Sequence, residues 1–187
     1  MSKLLPLLAA GAIALCGLAC SDDSSTPASA APGAALKCTS SGKNAFDTYQ
    51  TAAFVAVNEA IVANVFAELG ANSTVNLGDS FTKIGSGVPP TTTDGAATFK
   101  GKLAAFLVYA FGGPPSITYT DGVAYSGLQD MASAHAGLAI TGPQFDYFIS
   151  NIVVPALTSS GVPMTDVASC FAPVVTDPTF KASIVGK

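Results

Sequence analysis

Apolar side chains recur every three or four residues along most of this chain, and nowhere do they alternate in steps of two over a useful length. Phe99, Leu103, Phe106, Leu107, Ala110 and Phe111 form the clearest stripe, stopped by Gly112-Gly113-Pro114. That spacing lines one face of a helix and would scatter the same residues over both faces of a strand. Proline ends the run because it lacks an N–H and crowds the preceding turn. A chain patterned this way predicts an all-α fold.

The other stripes divide the remainder. Phe54, Val57, Ile61 and Val65, widened by Val55, Val62 and Phe66, predict a helix from Thr51 to Leu69, with Gly70 where a left-handed cap is wanted. Gly70 to Asp94, rich in glycine, threonine and asparagine, predicts an irregular connection anchored by Val75, Leu77, Phe81 and Ile84. Pro114 to Gly127 predicts a second loop. Leu128, Met131, His135 and Leu138 then share one helical face, so the histidine points inward with the leucines. Thr141, Pro143 and Gln144 spell a capping box with proline in the first turn. Phe145, Phe148, Ile149, Ile152 and Val153 supply that helix with its buried stripe, and Pro155 is expected to kink it. A last helical region, from about Thr165 to Val185, is expected to break at Pro173 and Pro178.

Lys3, the apolar stretch Leu4 to Leu18 and Ala19 before Cys20 make a secretory signal, too short for a membrane span. The Gly-Leu-Ala-Cys ending at Cys20 resembles a bacterial lipoprotein cleavage box, which implies lipidation of Cys20; an ordinary cleaved signal leaving a free thiol is the alternative. Ser21 to Ala35 is serine, alanine and proline with two acids, too poor in large apolar residues to offset the entropy of ordering it. The expected organisation is a signal peptide at 1–19, a lipidated cysteine and flexible tether at 20–36, and one domain at 37–187. This places the domain in the cell envelope, lipid-anchored and facing the periplasm or the outer surface.

Loss of the signal leaves seven lysines against twelve acids, a net charge of −5, with no arginine in the chain. No basic stripe exists to track phosphates, which argues against nucleic acid as a partner. Only 11% of residues are charged and 49% are hydrophobic, so the domain is compact and apolar. Cys16 leaves with the signal and Cys20 carries lipid, which makes Cys38 and Cys170 an even pair in an oxidising compartment. A disulfide from the start of the domain to its last helix is the expectation, and two inert buried thiols are the alternative.

His135 is the chain's only histidine. On an apolar helix face such a residue is more often bonded to a carbonyl than to a metal, but here Ala134, Ala136 and Gly137 beside it are small enough to let a flat group approach. Ala105-Phe-Leu-Val-Tyr-Ala-Phe-Gly-Gly-Pro114, Tyr125-Ser-Gly127, Met131-Ala-Ser-Ala-His-Ala-Gly-Leu138 and Phe145-Asp146 follow one another in order. Together they resemble the truncated haemoglobins, group 1-like members of the globin superfamily. The likeness covers Leu103 to the C-terminus well and Asp47 to Glu68 loosely.

The resemblance implies a short globin fold around a pocket for haem b, with His135 as the iron's proximal ligand. It implies that Leu138, Phe145 and Leu103 line the haem and that Phe81 packs against the ring. The distal side departs from the pattern. Val62 stands where the family commonly has tyrosine and Phe99 where it often has glutamine, with Lys102 three residues further on. A neutral hydrogen bond is worth about 1 kcal/mol and one to a polarised group about 1.5–3, so losing those donors weakens dioxygen retention several-fold. Either the pocket is apolar and favours nitric oxide or carbon monoxide, or Lys102 bonds the ligand or the iron. The plainer alternative sends Lys102 outward to a haem propionate or to water. Lys100 is a second propionate candidate, with exposure to solvent as its other fate.

The implied function is binding of a diatomic gas. Nitric oxide dioxygenation or a peroxidase-like side activity would need an electron donor that the chain does not contain. The competing expectation is a haem-free globin-like structural or binding module of the envelope, which Val62 and Phe99 suit. A zinc site is disfavoured, since one histidine and two spare cysteines give no ligand cluster. No G-x-S-x-G supports a hydrolase around His135, and Gly85-Ser-Gly87 lacks the context of a phosphate loop.

Overall fold

The computed structural model describes residues 31–71, 77, 78, 80, 81 and 96–187. The signal, Cys20 and the beginning of the tether lie outside the described residues, as do Val75 and Ile84. Helix dominates what is described: α1 (Ala45–Ala71), α2 (Ala96–Ala110), α3 (Met131–His135), α4 (142–159), α5 (Met164–Val175) and α6 (Pro178–Ala182).

α1 begins one turn and a half before the expected Thr51. Asn44 Oδ1 accepts from Asp47 N at 2.6 Å and so starts the helix, which bends at Gln50, where φ is +62°. The Gln50 side-chain amide donates to the carbonyls of Phe46 and Asp47, both at 3.1 Å, satisfying acceptors that the bend frees. Length and hydropathy alone would let α1 cross a bilayer, but its Phe54, Val57, Ile61 and Val65 are buried in the core, and α1 packs against α2 and α4. Phe54, Phe111 and Phe171 meet there with ring centroids 4.8–6.0 Å apart.

The expected loop between Pro114 and Gly127 contains a small antiparallel hairpin, β1 (Ser116–Thr118) with β2 (Ala124–Ser126), in the register Ser116 to Ser126. Strands of three residues are too short to declare themselves by alternation. Gly122, at φ +79°, turns the chain between Tyr119 and Val123. The hairpin lies tight on α2: a Cβ at Gly127 would stand 2.4 Å from the Ala105 carbonyl oxygen, and one at Gly101 would enter the Tyr125 ring.

Of the prolines in the C-terminal half, Pro173 departs from expectation. α4 runs on through Pro155; the stretch Phe148–Val153 just before it is widened to a π-helix. Pro173 likewise sits within α5, after the π-helical Val167–Phe171. A wide turn shifts the carbonyl that the ring would otherwise strike and leaves acceptors to be met from elsewhere. Asn64 Nδ2 of α1 donates to Ile152 O, within the stretch Phe148–Val153, at 3.1 Å. Only Pro178 marks a true break, opening α6 behind an Asp177 cap.

Cys38 and Cys170 are joined in a disulfide with Cα atoms 4.8 Å apart, tying the chain before α1 to α5, the penultimate helix. Beside it the fully buried Asp166 accepts from Ser40 N at 2.9 Å, from Tyr49 OH at 2.5 Å and from Ser40 Oγ. Packing starts earlier than residue 37, because Gly33 is buried and donates to Ala110 O at 2.7 Å.

Candidate functional site

Between α2, α3, α4 and α6 lies an open cavity in which about 240 Å³ can be reached by the centre of a water molecule. Its walls are mainly apolar. α2 gives Phe99, Leu103 and Phe106, the segment before it gives Phe81, α4 gives Phe145 and Phe148, and the chain around α6 gives Phe180 and Ile184. Phe81 meets Phe99 edge-on at 6.1 Å and stacks on Phe148 at 5.9 Å. Leu103, Phe106, Phe148 and Phe180 remain only half-buried although they face inward, a state that costs free energy unless something apolar covers them.

His135 lines this cavity at the end of α3. Helix α3 is a five-residue helix, shorter than the expected stripe. Asp130 caps it, accepting from Ala132 N at 3.2 Å, which leaves Leu128 outside the helix and half-exposed at 52%. Leu138 lies beyond the other end, yet is buried and on the cavity wall. The His135 Nδ1 is 2.8 Å from the Met131 carbonyl oxygen, one helical turn back. A carbonyl only accepts, so Nδ1 carries the hydrogen and Nε2 keeps its lone pair. Burial holds the imidazole below its ordinary value of 6.5, against the opposing pull of the Met131 carbonyl, so the ring is neutral at pH 7.

The loop after His135 is held from outside. Ala139 N donates to Lys187 O at 2.8 Å and Gly186 N to Ile140 O at 2.9 Å. The capping box at Thr141 starts α4 as expected, with Gln144 Oε1 accepting from Thr141 N at 2.9 Å, and aims Phe145 into the cavity.

Seven of the eight residues singled out from sequence line this one space: His135, Leu138, Phe145, Leu103, Phe99, Lys102 and Phe81. Val62 does not. It is buried in the core, and Ile61, one position back, faces the cavity instead. The likeness is loose over this stretch, and a shift of one residue turns a helical side chain by about 100°. Lys100 is not among the cavity's lining residues; its side chain is partly exposed and its Nζ pairs with Glu59 Oε2 at 2.7 Å. Tyr119 OH donates to the other Glu59 oxygen. These two hydrogen bonds hold the Glu59 carboxyl below the usual range, and burial beside Glu59 pushes Tyr119 up to about 12.

Sequence reasoning missed Phe148, Phe180 and Ile184 as cavity residues, and the polar Ser80, Gln129 and Gln144 among the lining groups. Helical periodicity marked Phe148 as buried without saying against what. Phe180 and Ile184 follow two prolines, in a region whose placement no local signal reveals. Among the described residues, no cluster of three or more histidine, cysteine or acidic side chains suits a metal ion. Comparison of the chain with family models, with curated proteins and with solved structures finds no match.

Proposed function

We propose that this chain is a haem-binding, truncated-haemoglobin-like protein of the cell envelope, anchored by lipid at Cys20, which binds a diatomic gas. The observation that carries the reading is the state of His135: neutral, oriented by the Met131 carbonyl, and on the wall of a cavity of aromatic and aliphatic side chains. An imidazole that donates through one nitrogen and presents the other unprotonated is what an iron ligand requires. The donor set and the lining therefore fit haem b.

His135 would hold the iron, and Leu138, Phe145, Leu103, Phe99 and Phe81, which line the same cavity, would shield the bound group from water. Bound haem supplies the open iron position at which O2, NO or CO coordinates. Phe99 and Ile61 offer such a ligand no hydrogen bond, which favours NO and CO over O2, and Lys102 is the one cation among the described lining residues. Any turnover, as in NO dioxygenation, needs an outside electron donor.

A second reading, a haem-free binding module, is favoured by the same half-buried aromatic side chains, which suit any flat apolar ligand. Haem content separates the two. Protein purified from haem-supplied cells should carry one haem per chain and, once reduced, should bind CO with a sharp shift of its Soret band. Colourless protein that takes up no stoichiometric haemin supports the second reading and overturns the first.

A further inference from the structure

The cavity wall contributed by the last residues is attached lightly. No residue of α6 is itself buried. Its Phe180 slots between the Phe106 ring of α2, parallel at 6.0 Å, and the Phe145 ring of α4, edge-on at 6.2 Å. Outside that wedge, Lys181 Nζ bonds Asp146 Oδ1 at 2.6 Å and stands 5.5 Å over the Phe145 ring. Both members of this pair are partly exposed, at 35% and 64%, so water competes for each of them.

Beyond α6, Ile184 turns into the cavity, and Gly186 and Lys187 make the two main-chain hydrogen bonds to Ala139 and Ile140 already described. Ala139 sits at φ +52°, which a residue with a Cβ adopts only under restraint. Its N–H bond to Lys187 supplies such a restraint, four residues from His135.

We propose that residues 177–187 form a hinged strap: seated, it closes the cavity and fixes the loop that follows His135; released, it opens the slot to a flat ligand. The hinge lies at Thr176 and Asp177, where α5 ends and the α6 cap begins. Opening breaks the Lys181–Asp146 pair, withdraws Phe180 and frees Ala139 in one event, because all three are joined through one short segment. This inference rests on the cavity being a binding site for haem, but the strap itself is testable without haem.

Two measurements on the full chain test it. In hydrogen exchange of the haem-free protein, the Ala139 and Gly186 amides should open together, faster than those of α1 and α2, and haemin should slow both. Exchange of these amides only with global unfolding overturns the strap, whatever becomes of haem. Lys181→Ala should speed both haemin uptake by the haem-free protein and, once loaded, its loss to an excess of a haem-scavenging protein by two- to fivefold, leaving the Soret position unchanged. The charge-swapped pair Lys181→Asp with Asp146→Lys should restore wild-type rates. Unchanged rates in Lys181→Ala contradict the latch. A chain that binds no haemin fails the functional reading, while the exchange result still decides the strap.

Discussion

At the scale of single residues, His135 was legible because small neighbours and a leucine three positions on frame it in one run of sequence. What sequence did not yield is how the ring is set: the helix ends at His135 itself, and the tie to Met131 O needs only that one turn. A pH prediction follows. Because burial lowers the folded value, the unfolded chain takes up a proton more readily than the native one. His135 therefore leaves stability untouched above about pH 6.5 and lowers it as the pH falls toward the folded value. An NMR titration of the single histidine's ring protons should give a midpoint below 6.5 in the haem-free protein; a midpoint at or above 6.5 would mean the ring faces water.

At the scale of elements, helical periodicity located α1, α2 and α4, since each carries a stripe long enough to read. It failed at the hairpin, whose strands are too short, and at Pro173, where a π-helical turn absorbs what a proline usually breaks. It also gave no sign of Asp166. Burial by itself would raise that carboxyl, but hydrogen bonds from Ser40 and Tyr49 outweigh it and hold it below 3.8. Burial and the Asp166 hydrogen bond push Tyr49 up to about 12. Asp166 thus stabilises the fold above pH 3.8, an effect lost as the pH drops through the folded value. Tyr49 stabilises it below pH 10, an effect lost as the pH rises toward about 12. Asp166→Asn, which replaces an acceptor by a donor facing two hydroxyls, should cost about 2–4 kcal/mol in urea unfolding. It should also flatten the alkaline loss of stability between pH 10 and 12, and a variant as stable as wild type would show the cluster to be idle.

At the scale of the whole molecule, the all-α class and the pairing of Cys38 with Cys170 were both within reach of sequence, the first from pattern and the second from counting. The convergence of distant residues on one cavity was not, apart from those that a family likeness assigned. Phe180 reaches Phe106 across 74 residues through packing that no local signal encodes. The disulfide closes most of the domain, its ends separated by 132 positions in sequence, so Cys38→Ser with Cys170→Ser should destabilise the fold by about 2–5 kcal/mol, toward the upper end. Scanning calorimetry should record a fall in Tm of about 5–20 °C; an unchanged Tm would mean that helix packing alone sets the stability.

An axial-ligand substitution tests most directly the proposal that His135 holds an iron porphyrin. Haemin titrated into wild-type protein should saturate at one equivalent. In the reduced protein, resonance Raman should show an iron–imidazole stretch that disappears in His135→Gly and returns when free imidazole is added. Saturable binding with a spectrum identical in wild type and His135→Gly, before and after imidazole, would contradict the account.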